Sequence, residues 1–463
     1  MSTELRSANG RYLAVQQDDG NFVVYRRDTM TPVWDQFGYE ARGDAGPAPT
    51  PPSIPTPRAP DVVPPDTPRL DLDPTPASGL GLVEHAALTA VRSRLSRAEI
   101  ATFVPESPGA FRFPRPYGTR GIRLTSANDG VILPVGYSYW SQINNHAGRG
   151  ELLVFLGTGA GQPILLQVDK SSGVVTNRGP IGDLRGTGEG WYFSATRPTT
   201  LYTYGDASLV RYDVDTNQRE VVFALDPGLI LWQMCSSDDD QVHAGTYRQL
   251  PGYTDLGCCV YRNGKLSLYP KRDGYDECQL DKSGRWLIIK EGAGGGDNRV
   301  IDLETGEERT IHNADGAVGH SDTGAGFVAG EDDQHEPGAL VTWDLAQPFT
   351  PENRHLHYHL TQWVDSKGVG IGLGHVAVRG NRALVSHAHR EDIPRINELG
   401  VVTLDGSRQI RLIAPNLMDV DGGGGDDYAK QVKANWDPTG QYACWTANAG
   451  TDRLDAFLVE VPS

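Results

Sequence analysis

Histidine residues recur in this sequence at positions where a repeated strand pattern would bring them together. His320 and His375 occupy nearly equivalent places in two copies of that repeat, with Asp322 close by. His146 and His243 lie later in two other copies. A neutral imidazole can ligate a transition metal or act as a general base near pH 7. We therefore expect a His-lined channel, with His320, His375 and Asp322 as candidate metal ligands.

A proton-transfer site in such a channel would suit β-elimination from a uronate sugar. That reaction needs a base for the C5 proton, a cation beside the carboxylate and a proton donor for the leaving oxygen. His146 or His243 is the candidate base. Arg248 and Lys290 are the candidate cations, and Tyr139 is the candidate donor. The alternative interpretation is that these histidines link neighbouring repeats structurally.

Other segments also carry residues that could bind a cation. Residues 419–427 hold four aspartates among glycines. Such oxygen ligands suit Ca²⁺, although the spacing matches no EF-hand. Imidazoles two residues apart share one face of a strand. The alternative is a solvated connection for the aspartate loop and a solvated or interblade face for alternating histidines. The sequence has two such alternating runs: His355, His357 and His359, then His387 and His389.

The elements that would position these side chains form a degenerate repeat. Each copy runs from an apolar strand through a tight polar turn into a second apolar strand. The copies start near residues 140, 187, 234, 278, 319, 375 and 433. Their spacing of roughly 42 to 58 residues is typical of four-stranded propeller blades. The sequence therefore predicts an all-β fold with a seven-bladed β-propeller over 118–463.

The overall composition limits the classes of function. The 463 residues include 55 glycines and 31 prolines, which indicates many turns and few long helices. The formal charge of −17 disfavours a nucleic-acid partner, because an acidic surface repels phosphate. The five cysteines lack metal-binding spacing and are expected to be free thiols. We expect no Sec signal and no membrane span, and a location in the cytoplasm or in a released phage-like or secreted particle.

The first quarter of the sequence is organised differently. Residues 1–42 alternate apolar and polar side chains around tight turns, which predicts small hairpins. Residues 43–79 form a linker with twelve prolines. Residues 80–117 combine a predicted helix over 80–102 with a lead-in segment, because apolar residues recur there at three- and four-residue intervals.

A short motif in the first segment resembles the sugar-binding signature of the bulb-type, mannose-binding lectins. By this resemblance five side chains would hold a mannose ring: Gln17, Asp19, Asn21, Val23 and Tyr25. That family builds a β-prism from three such repeats, and this sequence carries one. The resemblance therefore implies a homotrimer in which each chain contributes one sheet. The alternative is that the motif residues only hold the prism together.

Three segments of the propeller region also carry a resemblance, at 139–146, 236–243 and 319–324. They resemble an uncharacterised family of bacterial propeller proteins. More remotely, the region is similar to oligogalacturonate-lyase-type propellers. That likeness implies a central His-rich cavity, a divalent metal and an elimination base, without assigning the ligands one by one.

These observations lead to three functional hypotheses. The first is a carbohydrate-binding or attachment protein, such as a trimeric fibre, spike or receptor-binding subunit of a phage-like particle, with a glycan as partner. The second is a polysaccharide lyase or hydrolase with a His-rich propeller funnel. The third is a structural hub that binds other proteins. A polar funnel with convergent histidine, arginine and tyrosine side chains would favour the enzyme.

Overall fold

A computed structural model gives the fold of the chain. It describes residues 94–462 except 206, 273, 293–295, 333, 337, 360–373, 391–395 and 426–427. Before residue 94 it describes the backbone of five strands. Among the described residues, no helix is long and apolar enough to cross a membrane.

Seven antiparallel sheets, named blades 1 to 7 in chain order, form a β-propeller. In each blade the first strand lies innermost. Blade 1 contains Ile143–Asn144, Glu151–Leu156, Ile164–Asp169 and Val175–Pro180. Blade 2 contains Tyr192–Phe193, Thr200–Gly205, Ser208–Asp213 and Arg219–Ala224. Blade 3 contains Leu229–Ser236, Val242–Gln249, Thr254–Arg262 and Lys265–Pro270. Blade 4 contains Cys278–Leu280, Trp286–Lys290, Asn298–Asp302 and Glu308–Ile311.

The last three blades follow the same order, and two of them gain a strand from earlier in the chain. Blade 5 contains Val318–Thr323, Phe327–Asp332, Ala339–Asp344 and Arg354–His359. Blade 6 contains His375–Arg379, Arg382–Ser386, Glu398–Thr403 and Gln409–Pro415, with Leu82–His85 at its edge. Blade 7 contains Asn435–Trp436, Tyr442–Ala447 and Asp455–Glu460, followed by Arg120–Arg123 and Gly109–Arg112. The seven predicted repeats are confirmed as seven blades.

Blade 7 closes the ring, because it joins the last strand of the chain to strands from before blade 1. The carboxylate of Asp455 is fully buried and links the two parts. It accepts hydrogen bonds from the Thr125 hydroxyl at 2.9 Å and from the Arg123 guanidinium. Pairing the two ends of a propeller in one sheet removes the exposed strand edges that an open ring would leave.

The turns between the first and second strands explain the repeated aspartates of the sequence. In blade 4, one carboxylate oxygen of Asp281 accepts the backbone N–H groups of Arg285 and Trp286, at 2.9 and 2.8 Å. In blade 7, Asp437 binds the equivalent pair of N–H groups, both at 2.6 Å. An aspartate at this position satisfies backbone donors that the tight turn leaves unpaired. These turns lie at the far end of each inner strand.

Between the blades, apolar side chains pack from both neighbouring sheets. Trp343 and Trp445 are fully buried there. The indole N–H groups of these two residues donate to the carbonyls of Gly316 and Asn416, at 2.9 and 2.8 Å, so their polar ends are satisfied. All five cysteines are free thiols, as the sequence predicted.

The predicted helix over 80–102 is wrong at Leu82–His85, which form a strand that pairs with the outer strand of blade 6. Among the described residues of this range, a helix covers Arg97–Ile100, and residues 80–81 and 86–93 lie outside the described residues. Ser96 and Glu99 form a capping box at its start. The apolar periodicity predicted a helix, but pairing with an available sheet edge outweighs local periodicity over so short a segment. Single helical turns of the 3-10 type occur at Ala127–Asp129, Asn313–Asp315 and Pro351–Asn353.

Four strands near the N-terminus pair consecutively in a separate antiparallel sheet. They are Glu4–Arg6, Tyr12–Gln16, Phe22–Arg26 and Thr31–Asp35. Three candidate mannose-binding residues, Gln17, Asp19 and Asn21, lie outside the described residues. Val23 and Tyr25 lie on the third strand. The resemblance to bulb-type lectins and the trimer stay predictions.

Candidate functional site

The segment 137–141 lies across the central channel of the propeller. It precedes blade 1, yet its side chains donate hydrogen bonds to backbone carbonyls on the inner strands of three other blades. The bonds join Ser138 Oγ to Val376 O in blade 6 (2.6 Å), Ser141 Oγ to Trp436 O in blade 7 (2.7 Å) and Trp140 Nε1 to Met234 O in blade 3 (2.9 Å). A segment that joins blades on opposite sides of a ring must cross its axis. We call it the crossing segment.

At the end of the channel where the inner strands begin, polar and aromatic side chains from several blades lie beside the crossing segment, and we call this group the funnel. Because each blade repeats the same strand order, the residues at the starts of inner strands and at the ends of second strands converge there. We define the funnel residues as Tyr137, Tyr139, Glu189, Arg248, Glu277, Lys290, His320, His375, Tyr428 and Lys433.

Glu277 is a centre of hydrogen bonding in the funnel. Its carboxylate accepts the Tyr139 hydroxyl, the Lys290 ammonium at 2.6 Å and the Gln279 amide at 3.3 Å. Burial and the charge of Glu277 raise the pKa of Tyr139 well above its usual value. The Lys290 ammonium also donates to the carbonyl of Gly319 at 2.6 Å. The crossing segment, blade 4 and blade 5 are thereby joined beside His320.

His320 and His375 come from neighbouring blades, and their rings stack with centroids 4.9 Å apart. The ring of Tyr137 lies 6.4 Å from His320 and 5.5 Å from His375. Burial lowers the pKa of both imidazoles, and the positive charge of Lys290 lowers it further. Both are therefore neutral near pH 7. His375 is buried, whereas His320 is exposed to the funnel.

Neither ring nitrogen of His375 has a hydrogen-bond partner among the described residues. Buried polar atoms are usually paired, so the unpaired imidazole of His375 calls for an explanation such as a bound ion, a water molecule or a functional role. The neighbouring His320 ring shields one of its faces. The buried ring of His375 therefore packs against the ring of His320.

Lys433 supplies positive charge to the funnel from blade 7. Its ammonium lies 3.3 Å from the ring centroid of Tyr428 and 5.4 Å from that of Tyr137. Such cation–π contacts hold a flexible ammonium in place. Lys433 also acts electrostatically on His320, whose pKa it lowers.

Arg248 and Glu189 lie on the blade 2 and blade 3 side of the funnel. The Arg248 guanidinium lies 4.6 Å from the ring centroid of Trp232, and its Nε donates to Asp255 at 2.5 Å. The predicted cation is therefore present but shares its charge with a carboxylate. Burial raises the pKa of the Glu189 carboxyl, and the positive charges of Lys433 and Arg248 oppose that rise.

The structure does not bring His146 and His243 to the funnel. His146 follows the inner strand of blade 1, and His243 begins the second strand of blade 3, so both lie toward the opposite end of the channel. The Nδ1 atom of His243 is 2.6 Å from the Ser236 hydroxyl, and its ring packs on Tyr202. His146 lies in the turn that follows the inner strand of its blade and His243 lies on the second strand, whereas His320 and His375 lie on inner strands. The catalytic roles of His146 and His243 stay predictions.

Asp322 lies near the end of the inner strand of blade 5, also away from the funnel. Its carboxylate accepts the Lys282 ammonium at 2.9 Å and the backbone N–H of Val378 at 2.7 Å. These bonds join blades 4, 5 and 6. The contacts favour a structural link over the predicted role as a metal ligand.

The alternating histidines of blade 5 do not form a common face. His357 is buried, with Nε2 2.8 Å from the Thr342 hydroxyl and Nδ1 accepting the N–H of Gly406 at 3.3 Å. His355 is exposed, because a β-bulge interrupts the strand between them. The side chain of His359 lies outside the described residues.

The acidic loop predicted for Ca²⁺ is engaged with arginines. Arg94 lies 3.9 and 3.8 Å from Asp419 and Asp421, and Arg390 Nε is 2.8 Å from Asp421. Asp426 and Asp427 lie outside the described residues. The predicted Ca²⁺ site and its alternative, a solvated connection, both stay predictions, and the described aspartates of the loop form ion pairs with Arg94 and Arg390.

The described residues do not supply the ligand set of a metal centre. No group of three or more His, Cys, Asp or Glu side chains among them is arranged to hold a metal ion. His320 and His375 offer a pair, and the Nδ1 atom of His387 is also buried without a partner. A zinc site has three or four protein ligands. The reaction proposed below uses side chains among the described residues.

Sequence reasoning missed five funnel residues that the structure brings together: Tyr137, Glu189, Glu277, Tyr428 and Lys433. Glu189, Glu277 and Lys433 each stand one to three residues before an inner strand. This shared offset is a signal in the repeat, and aligning the positions before each first strand would have identified it. Tyr137 shows no such regularity, since it belongs to the crossing segment.

Comparisons with known proteins agree with the fold. The structure is similar to an oligogalacturonate lyase from Vibrio parahaemolyticus, with a TM-score of 0.56 and 11% identity over 83% of this chain and 99% of that chain. It is also similar to an oligogalacturonate lyase in complex with manganese, with a TM-score of 0.51 and 14% identity over 78% of this chain and 98% of that chain. At these identities the likeness is one of fold. No family model and no curated protein matches the sequence.

Proposed function

We propose that the funnel binds an acidic saccharide and cleaves it by β-elimination, as a polysaccharide-lyase-like enzyme. The observation that carries this proposal is the placement of a neutral, accessible imidazole, His320, and the ammonium of Lys433 around the ring of Tyr137, whose centroid lies 6.4 Å from the His320 ring and 5.4 Å from that ammonium. The similarity in fold to two oligogalacturonate lyases supports the proposal by analogy.

His320 is the base in this proposal. β-Elimination begins with removal of the proton on C5, next to the uronate carboxylate, and an unprotonated imidazole at neutral pH can accept it. Burial and Lys290 keep the pKa of His320 low, so the base is in its reactive form over the neutral range. Stacking on His375 fixes the ring plane. A fixed ring keeps the accepting nitrogen aimed at one position.

Lys433 neutralises the substrate carboxylate in this proposal. Loss of the C5 proton moves negative charge onto the carboxylate, so a fixed cation beside it stabilises the transition state. The overall charge of −17 would repel an acidic ligand at long range, and a local cation in the funnel overcomes that repulsion at contact. Tyr137 and Tyr428 hold the ammonium and offer ring faces to the apolar side of a sugar.

The products distinguish this reaction from hydrolysis. Elimination places a double bond between C4 and C5, conjugated with the carboxylate, whereas hydrolysis adds water and forms no double bond. A panel of uronate oligosaccharides should be incubated with purified protein while ultraviolet absorbance is followed, with and without EDTA. We expect rising absorbance with the acidic oligosaccharides and none after chemical reduction of their carboxylates. New reducing ends without rising absorbance would contradict the proposal and indicate a hydrolase.

A further inference from the structure

His320 lies in a β-bulge of the inner strand of blade 5. The pairing of this strand with the next shifts register between Val318 and Ser321. Gly319 and His320 are the two residues inside that shift. A bulge bends its strand and changes the direction in which its side chains point. The residue proposed as the base therefore stands where the strand is irregular.

The bulge decides which way the His320 ring points. In a regular strand, side chains two residues apart lie on the same face of the sheet. Val318 packs into an apolar cluster that blade 5 shares with Ile288 and Val300 of blade 4. Two residues later, His320 stacks on His375 of blade 6 instead. Without the bulge, the imidazole would therefore turn toward the apolar cluster and away from His375.

The second strand of blade 5 leaves room for the bulge at Gly330. A Cβ atom at this position would lie 2.9 Å from the carbonyl oxygen of His320 and 2.8 Å from the Cβ of Ser321. Both distances are shorter than ordinary van der Waals contact. The glycine therefore lets the bulged backbone approach its neighbour.

Lys290 of blade 4 holds the bulge itself. Its ammonium donates to the carbonyl of Gly319 at 2.6 Å, and that carbonyl belongs to the peptide bond leading into His320. The same ammonium is held by the carboxylate of Glu277 at 2.6 Å. Hydrogen bonds from a charged donor are stronger than those between neutral groups. Lys290 is thereby fixed in place, and it fixes the peptide next to the base.

Two amide side chains of the same blade hold the ends of the bulge. Asn298 Nδ2 donates to the carbonyl of Val318 at 3.1 Å. Gln279 Nε2 donates to the carbonyl of Ser321 at 3.0 Å, and its Oε1 accepts the Ser321 hydroxyl at 3.1 Å. Both amides are buried. Blade 4 thus binds the backbone before, within and after the irregular part of the strand.

We propose that Lys290 is a positioning residue, which keeps the His320 imidazole turned into the funnel by holding the Gly319 carbonyl. This assignment rests on the proposed lyase function. It differs from the role that the sequence suggested, in which Lys290 neutralised the substrate carboxylate. A reacting group displaced by about 1 Å can cost about 10²-fold in rate, so a fixed bulge matters to proton removal.

The test removes the Lys290 ammonium without leaving a buried charge. Glu277→Gln combined with Lys290→Met replaces both members of the ion pair, so the net charge of the site stays the same. Lys290→Gln is the second variant, used if the double variant does not fold, because its shorter side chain keeps a polar partner for Glu277. Lys282→Gln is the matched control, since Lys282 joins blade 4 to blade 5 by an ion pair beyond the bulge.

Two measurements separate positioning from stability. Acylation of His320 by diethyl pyrocarbonate, followed by mass spectrometry, reports whether the imidazole is accessible. Formation of unsaturated product from a uronate oligosaccharide gives kcat and KM. In the double variant we expect acylation of His320 to slow at least tenfold and kcat to fall about 10²-fold, while KM changes only a few-fold. Lys282→Gln should match wild type, and urea unfolding verifies that each variant is folded.

Unchanged acylation of His320 in a folded Lys290 variant would overturn this assignment, whether or not kcat falls. The lyase function would still stand if wild type formed unsaturated product. If wild type forms no unsaturated product but acylation slows in the variant, the lyase function fails and the contact of Lys290 with the bulge is retained as the cause of the ring's direction.

Discussion

The hydroxyl of Tyr139 donates a hydrogen bond to the carboxylate of Glu277 across the central channel of the propeller. Tyr139 belongs to the crossing segment that precedes blade 1, whereas Glu277 begins blade 4. The bond therefore joins the crossing segment to blade 4 at the funnel. Lys290 adds an ammonium to the same carboxylate at 2.6 Å, so the funnel contains a buried ion pair.

Breaking the buried ion pair between Lys290 and Glu277 should destabilise the folded protein. Lys290 and Glu277 are 6% and 9% exposed in their side chains, so neither charge is well hydrated. Lys290→Met should leave the Glu277 carboxylate without its cation and lower the free energy of unfolding by about 3–5 kcal/mol. The double variant Glu277→Gln with Lys290→Met should recover much of that loss, because no buried charge remains. Urea unfolding at pH 7 measures both. A double variant as unstable as Lys290→Met alone would contradict this explanation.

Buried histidines predict a loss of stability in acid. Burial lowers the pKa of His243, His357 and His387 to about 4 in the folded protein, against an ordinary value of about 6.5. The unfolded chain therefore binds more protons than the folded chain between these values. The stability associated with the neutral rings is complete above pH 6.5 and is lost as the pH falls toward 4.

Unfolding measured by urea from pH 8 to pH 4 checks this dependence. His243→Gln should show a shallower fall than wild type, because one of the three titrating rings is gone. His312→Gln is the matched control, since His312 is 61% exposed at the edge of blade 4. The same slope in wild type and His243→Gln would show that His243 does not titrate as its burial indicates.

Because Lys433 carries a positive charge, its replacement should weaken the binding of acidic ligands more than the binding of neutral ligands. Lys433→Gln should weaken binding of a uronate oligosaccharide at least tenfold, because a hydrogen bond to a charged group contributes about 1.5–3 kcal/mol. Binding of the carboxyl-reduced, neutral oligosaccharide should change little. Isothermal titration with both ligands measures the difference. Lys282→Gln is the control, since Lys282 binds Asp322 away from the funnel. Equal weakening of both ligands would mean that Lys433 shapes the funnel without recognising charge.

Much of the fold could be predicted from the sequence, because the blades repeat a local pattern. Tight turns that begin with aspartate, such as Asp281 and Asp437, recur at a constant place in the strand pair. Their spacing was sufficient to count seven blades. The strand Leu82–His85 could not be predicted in the same way, because its conformation depends on the edge of blade 6, more than 300 residues further along the chain.

The candidate site was predicted only in part, for a geometric reason. A residue's place in a repeat decides which end of the channel it reaches, so His320 and His375 meet whereas His146 and His243 do not. Tyr137 could not be recognised, since the crossing segment lies outside the strand pattern. The glycan partner, the homotrimer and membership of a phage-like particle stay predictions from the N-terminal motif and the linker.

The central claim is that His320 removes a proton from an acidic sugar, and chemical rescue tests it most directly. His320→Ala, His312→Ala and wild type should be compared for formation of unsaturated product, with and without added imidazole. We predict that His320→Ala loses about 10²- to 10⁴-fold in rate, that imidazole restores part of it, and that His312→Ala matches wild type. An undiminished rate in His320→Ala, or no rescue in a folded and ligand-binding His320→Ala protein, would contradict the assignment of His320 as the base.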